Sequence, residues 1–143
     1  MKKNDLRYLA GYFDADGFVG MMTKHQRGRS YYYPQLEVGG IRRAPLDLFV
    51  QTFGGTLQRK VNHSRPQEQQ MMKWHLSGRR CEPVLQALAP YLLVKQRQAL
   101  LVLRYFRECY RAQRTWPRLT SRETERRVVY KCLLTRLKRG DID

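Results

Sequence analysis

The sequence predicts an α+β fold from the order of two hydrophobic patterns along its 143 residues. Segments whose apolar residues recur every three or four positions, typical of helices, alternate with paired segments of alternating apolar and polar residues, typical of strands. The resulting order is helix, hairpin, helix, hairpin, followed by further helices. With 42% hydrophobic residues, we expect one core and a single domain over residues 1–143, with its core at about 5–114.

The first helix is predicted to begin after an N-cap at Asn4 or Asp5, since either side chain can accept hydrogen bonds from the first turn. The polar run 14–17 is expected to end it. Its apolar residues share one side and are Leu6, Leu9, Ala10 and Phe13. The helix therefore has one side to bury and ends in two carboxylates.

Two β-hairpins follow the first and second helices. The first pairs residues 18–26 with 31–38 around a turn at 27–30, and the second pairs 56–61 with 70–77. Alternation gives each hairpin one apolar face and one face of polar and aromatic side chains. An antiparallel four-stranded sheet with one buried face is therefore expected.

Proline and glycine delimit the middle helices. Pro45 is tolerated in a first helical turn, and Gly54 with Gly55 ends that helix. Pro90 separates the next two helices. The segments predicted to be helical here are 45–53, 83–92 and 95–114.

A last helix is predicted over about 120–140. Thr120 and Glu123 form a capping-box pattern, and Gly140 marks the end. A hinge is predicted at Trp116–Pro117, because a residue before proline is disfavoured in helical backbone. The stretch from Arg104 to Arg139 holds 12 basic and three acidic residues, which suits it to holding phosphates.

The net charge points to a polyanionic partner. Lys and Arg number 28 against 12 Asp and Glu, giving +16, so nucleic acid is the first candidate partner and an anionic membrane surface the second. The three cysteines and three histidines lack the spacing of a zinc site, which excludes zinc-finger binding. No apolar run approaches a membrane span and no leader is recognisable, so we expect a soluble intracellular protein with reduced thiols.

The end of the first helix combines small residues with carboxylates. Gly11 and Ala15 lie four residues apart and offer a smooth patch for a second backbone, and Asp14 and Asp16 follow. Two copies packed through Gly11 would bring two Asp16 carboxylates together, an arrangement that cations such as Mg²⁺ stabilise. The alternative interpretation is an ordinary polar turn.

A longer sequence match favours the cation-binding interpretation over the polar turn. LAGYFDADG, residues 9–17, resembles the LAGLIDADG signature of the homing endonuclease family and differs only at Tyr12 and Phe13. LAPYLLVKQRQALLVL, residues 88–103, is similar to the segment that carries a catalytic lysine in single-motif members. The resemblance spans roughly Leu6 to Arg107 and implies an αββαββα fold with a saddle-shaped sheet and additional C-terminal helices.

The resemblance also implies an activity. Single-motif members are homodimers that hydrolyse both strands of a long, nearly palindromic DNA site across the minor groove, leaving short 3′ overhangs, and many are intron-encoded. Asp16 matches the catalytic metal ligand, the Ala15 carbonyl a further ligand, and Lys95 the active-site lysine. The implied cofactor is Mg²⁺, for which Mn²⁺ can substitute. The implied dimer interface is formed by Leu9, Ala10, Gly11 and Phe13.

Strand alternation adds candidate DNA contacts, since side chains on the polar face can reach base edges or phosphates. These are Lys24, Gln26, Arg29, Tyr31, Tyr33, Gln35, Gln58, Lys60, Lys73 and His75.

One position departs from the family pattern. Where similar members carry Gln or Asn at a strand end, this chain has about Gly40, and Arg42 or Arg43 are candidates for that part of the pocket. A cleavage-deficient relative that binds DNA, or an intron RNA maturase, is therefore the alternative to a nuclease. A basic component of a ribonucleoprotein is the third hypothesis.

Overall fold

The computed structural model describes residues 2–61, 63–66, 69–110 and 120–142. Its elements confirm the predicted α+β fold and the order of helices and hairpins. They are α1 (Lys3–Asp16), β1 (Gly17–Gln26), β2 (Arg29–Gly40), α2 (Arg43–Phe53), β3 (Thr56–Lys60), β4 (Met71–Ser77), α3 (Cys81–Leu88), α4 (Gln96–Glu108) and α5 (Ser121–Arg139).

α1 differs from its prediction at both ends. It begins at Lys3, and the residue before it makes no side-chain cap, so the N-cap predicted at Asn4 or Asp5 is wrong. Its last residue is Asp16, and β1 begins at the next residue without a loop. Gly17 makes this junction possible, because a Cβ there would lie 2.3 Å from the Phe13 carbonyl oxygen. The two carboxylates therefore belong to the last helical turn.

The four strands form one antiparallel sheet in the order β1-β2-β4-β3. β1 and β2 are joined by two residues, Arg27 and Gly28, whose φ values are 51° and 70°. Positive φ at both positions is typical of the tight turn whose twist matches that of the strands. The turn is thus shorter than the four residues predicted.

The helices cover the apolar face of the sheet. Trp74 of β4 is fully buried, its ring centroid lies 4.9 Å from that of Phe49 on α2, and its indole N–H donates to the Gly54 carbonyl at 2.8 Å. Leu9 and Phe13 of α1 are fully buried in the same core. The opposite face of the sheet carries the polar side chains.

The C-terminal helices extend this core. The segment predicted as one helix over 83–92 is α3 followed by a short 3₁₀ turn, Ala89–Tyr91, which holds Pro90. Among the helices that the structure describes, none has the length and apolar character needed to span a membrane.

α5 begins and ends as predicted. The capping box is confirmed: the Glu123 N–H donates to the Thr120 hydroxyl oxygen, and the Thr120 N–H donates to the Glu123 carboxylate, both at 3.2 Å. Buried Arg127 donates to the Cys109 carbonyl at the end of α4, which fixes α5 against α4. The predicted hinge at Trp116–Pro117 lies outside the described residues.

Candidate active site

The carboxylate of Asp14 binds a segment almost 80 residues further along the chain. One oxygen accepts the Leu93 and Val94 backbone N–H groups at 2.9 and 3.0 Å, and the other accepts the Lys95 N–H at 2.8 Å. Partial burial acts to raise the pKa of Asp14, but the three N–H donors outweigh it and hold the pKa below its usual value. Asp14 is therefore an ionised anchor that fixes residues 93–95 to the end of α1.

This anchor places Lys95 beside the motif. The Lys95 ammonium donates to the Asp14 backbone carbonyl, in the last turn of α1, where carbonyls lack intrahelical partners. Lys95 thus contacts the residue that directly precedes Ala15, and Asp16 follows one residue later. A hydrogen-bonded contact between segments distant in sequence brings the two predicted catalytic residues together.

Asp16 differs from Asp14 in having no such partner. It is exposed, and within the described parts of the chain its carboxylate makes no hydrogen bond or ion pair. Ala15 is exposed as well. A free carboxylate beside an accessible carbonyl fits Mg²⁺, which binds oxygen ligands and is held by few carboxylates together with substrate phosphates. Among the described residues, no group of three or more His, Cys, Asp or Glu side chains could hold a metal ion.

The polar face of the sheet collects the ten predicted DNA-contact residues. Strand register pairs Lys24 with Tyr31 and Gln26 with Arg29 in the first hairpin, and Gln58 with Lys73 in the second. Because side chains alternate between faces, members of these pairs share a face. Six of the ten residues form these three pairs, and Lys60 lies two residues after Gln58 on the same face of β3. The remaining three are Tyr33, Gln35 and His75 on β2 and β4.

Glu37 is the acidic residue in the centre of this face. It accepts a hydrogen bond from Gln35 at 2.5 Å and pairs with the Lys73 ammonium at 2.9 Å. Gln35 is the buried member of the ten, at 9% exposed, so it supports Glu37 and does not face solvent. Glu37 was not among the predicted DNA contacts, although its place in the strand alternation put it on this face.

Comparison with solved structures shows the same architecture in nucleases. The homing endonuclease I-CvuI, solved with the I-CreI target and 2 mM Mg, matches with a TM-score of 0.75 and 20% identity over 95% of this chain and 85% of that chain. The archaeal intron-encoded homing endonuclease I-Vdi141I, complexed with DNA, gives 0.74 and 17% over 96% and 86%. The LAGLIDADG homing endonuclease I-GzeII, with its DNA target, gives 0.68 and 9% over 88% and 43%.

The chain has the LAGLIDADG homing endonuclease fold. No protein-family model matches the sequence. No curated protein sequence matches it either. The likeness is thus carried by the fold and by the two short motifs.

Within the LAGLIDADG fold, the predicted dimer interface needs correction. Leu9, Ala10 and Phe13 are fully buried in the core of their own chain, so they do not offer a surface to a second copy. Gly11 is exposed, and a Cβ there would meet nothing within 4 Å. The resemblance implied the interface, whereas the apolar periodicity of α1 correctly placed Leu9, Ala10 and Phe13 on its buried side.

The position around Gly40 also differs from expectation. Arg43 pairs with Asp47 at 3.2 Å, and Arg42 and Arg43 line a cleft with Tyr8. The hydroxyl of Tyr12 instead occupies the space beside Gly40. The Arg42 carbonyl oxygen lies 4.0 Å from the place of a Cβ at residue 40, and a role for Arg42 or Arg43 in the pocket stays a prediction.

A lysine from α5 reaches this end of the LAGLIDADG helix. The Lys138 ammonium lies 3.8 Å from the centre of the Phe18 ring, two residues after Asp16. Burial, reinforced by the positive charge of Lys95, lowers the pKa of Lys138 to about 8. The basic composition of residues 104–139 was the sequence signal, but it did not single out Lys138.

Proposed function

We propose that this protein is a homodimeric, site-specific homing endonuclease that makes metal-dependent double-strand breaks in a long, nearly palindromic DNA site. The observation that carries the proposal is the Asp14 anchor, which brings Lys95 to the helix end bearing Asp16. A polar turn without function has no need for a lysine held beside an unpartnered carboxylate. The DNA complexes of I-CvuI and I-Vdi141I support double-stranded DNA as the partner.

The polar face of the sheet supports DNA binding. It presents exposed Lys24, Gln26, Gln58 and Lys60 along two hairpins. Such side chains contact phosphates or base edges. A dimer carries twice the +16 of one chain, so binding should weaken steeply as salt increases.

A second copy is proposed to pack on the exposed side of α1. Gly11 and Ala15 leave that side smooth, and Leu93 and Val94, held rigidly by Asp14, are 89% and 74% exposed. Large apolar side chains held exposed next to a smooth helix are typical of an interface. The copy would also supply the second Asp16 that a single chain lacks.

The proposed reaction adds water across the bond between phosphorus and the 3′ oxygen of DNA. The water oxygen bonds to phosphorus, the 3′ oxygen leaves and takes up a proton, and a 5′ phosphate remains. Asp16 and the Ala15 carbonyl would hold Mg²⁺, or Mn²⁺ in its place. When bound, such an ion lowers the pKa of water and stabilises charge on the leaving oxygen.

Lys95 acts on the phosphate in this proposal. Its ammonium is held at the end of α1, where it can offset the negative charge that grows on the phosphate oxygens. Lys138, beside it, adds positive charge that favours phosphate entry. Both lysines would pair with a phosphate only when DNA is bound.

A randomised, nearly palindromic DNA library tests the proposal. Sequences retained by the protein in Ca²⁺, in which one I-CvuI complex was solved, are transferred to Mg²⁺ and their ends are sequenced. We expect selective retention followed by double-strand cuts at one position with 3′ overhangs. Selective retention without a cut product would instead support the cleavage-deficient DNA-binding alternative, and retention of intron RNA over DNA would support the maturase.

A further inference from the structure

Tyr12 and Gly40, two positions that depart from the family pattern, lie next to each other in the structure. A Cβ on Gly40, at the end of β2, would lie 2.6 Å from the hydroxyl oxygen of Tyr12. Real Cβ atoms do not approach that closely, so the tyrosine hydroxyl occupies the volume that any side chain at position 40 would enter. The helix thus supplies a polar group at the place where the strand supplies none.

The same hydroxyl lies beside the candidate metal ligand. Tyr12 and Asp16 are four residues apart on α1, so they are neighbours on one face of the helix. A tyrosine phenol is protonated at neutral pH and can donate a hydrogen bond.

Tyr12 is held by its ring and leaves its hydroxyl free. The ring packs against Phe49 and Tyr8, with centroids 6.2 and 6.3 Å apart. The side chain is half-buried, and its hydroxyl makes no hydrogen bond with the residues that the structure describes. A protonated hydroxyl that is fixed in place, unpartnered and open to solvent is suited to bind a water molecule.

We propose that the Tyr12 hydroxyl is a positioning residue for the attacking water, taking the place that a polar strand-end side chain would occupy at residue 40. The inference rests on the proposed nuclease function. It gives this chain a site whose water-positioning group comes from the motif helix itself. It also explains why position 40 is glycine, because any larger residue displaces the hydroxyl.

Tyr12→Phe is the direct test, since it removes the hydroxyl and keeps the ring contacts. Single-turnover cleavage in Mg²⁺ should slow by about 10–100-fold, as expected for a group that orients others in a metal site. DNA affinity in Ca²⁺ should stay unchanged, which a merely structural role would not predict. Tyr8→Phe removes the neighbouring hydroxyl one turn away and is the matched control, expected to cleave as wild type.

Gly40→Ala tests the same hydroxyl from the strand. It should also slow cleavage, because the new methyl group displaces the Tyr12 hydroxyl. It should lower Tm in the wild-type background and lower it less in the Tyr12→Phe background, where the contacting oxygen is gone. This thermal readout is made without metal or DNA. The double variant Tyr12→Leu with Gly40→Gln should recover part of the cleavage rate by moving the polar group to the strand.

The outcomes separate the inference from the proposed function. If wild type and Tyr12→Phe cleave at equal rates, the positioning role is wrong and the nuclease proposal stands. If wild type cleaves no selected site, both are wrong. If the Tm loss from Gly40→Ala is the same in both backgrounds, the hydroxyl does not fill the space at residue 40, and the inference is overturned whatever the activity.

Discussion

Replacing Asp14 with alanine should release residues 93–95 from the end of α1. The carboxylate accepts three backbone N–H donors at 2.8–3.0 Å, so three donors lose their acceptor at once. Hydrogen bonds to a charged group contribute about 1.5–3 kcal/mol when water is excluded, but Leu93 and Val94 are exposed and water replaces part of the loss. We expect a cost close to that of a helix N-cap, about 1–2 kcal/mol. For a chain of this size that corresponds to a fall in Tm of roughly 3–8 °C.

Asp14→Ala should reduce the cleavage rate more than it reduces the stability of the fold. Lys95 is positioned by the same contacts, and a displacement of about 1 Å in an active-site group can cost about 100-fold in rate. Single-turnover cleavage in Mg²⁺ and DNA retention in Ca²⁺ are therefore measured together, and the rate should fall while retention persists. Asp47→Ala, which removes an exposed carboxylate on α2, is the matched control and should leave both unchanged.

The pH dependence of stability gives a second check. The pKa of Asp14 is lower in the folded protein than its unfolded value of about 3.9, so its contribution is complete above that value. The contribution is lost as pH falls through the folded pKa. Asp14→Ala should therefore lose part of the acid sensitivity of Tm. Wild-type cleavage, unchanged Tm and unchanged acid sensitivity in this variant would refute the anchoring role.

Three further predictions concern the interface, α5 and the sheet. Gly11→Leu should still fold, since its Cβ enters open space in the single chain, but it should yield a ~17 kDa species in sedimentation while Gly11→Ala stays dimeric. A dimeric Gly11→Leu would contradict the interface. Lys138→Met removes a desolvated cation whose pKa is lowered to about 8, so Tm at pH 7 should stay unchanged or rise. The variant should nevertheless bind DNA more weakly. A fall in Tm without a binding defect would contradict a phosphate role. Lys24→Ala should weaken binding equally across sequences and reduce the salt slope of the dimer by about two, one for each protomer. Arg104→Ala, on α4, should not change the slope, and equal slopes for the two variants would exclude Lys24 as a phosphate contact.

Local patterns allowed much of the fold to be predicted. Alternation placed the strands and their faces, because residues on one face of a strand are two apart in sequence. The capping box at Thr120 and Glu123 was read correctly, since both hydrogen bonds join residues three apart. The start of α1 was missed because several polar residues near an N-terminus fit a cap equally well.

The interactions that organise the site are not local. Asp14 meets residues 79–81 positions away, and Tyr12 fills the space beside Gly40 from another element. Lys138 reaches Phe18 across more than a hundred residues. Short-range patterns carry no information on such contacts, so the sequence indicated candidate residues but not how they are held.

Metal-dependent cleavage through Asp16 is the central claim, and Asp16→Asn tests it most directly. The variant keeps the size and shape of a side chain that makes no hydrogen bond with the described residues, so the fold and the DNA-binding face should persist. The measurement is single-turnover cutting of the selected DNA in Mg²⁺, at an enzyme concentration that saturates binding in Ca²⁺. We predict normal retention and no double-strand product. Cutting at the wild-type rate would contradict the assignment of Asp16 as the metal ligand and, with it, the proposed mechanism.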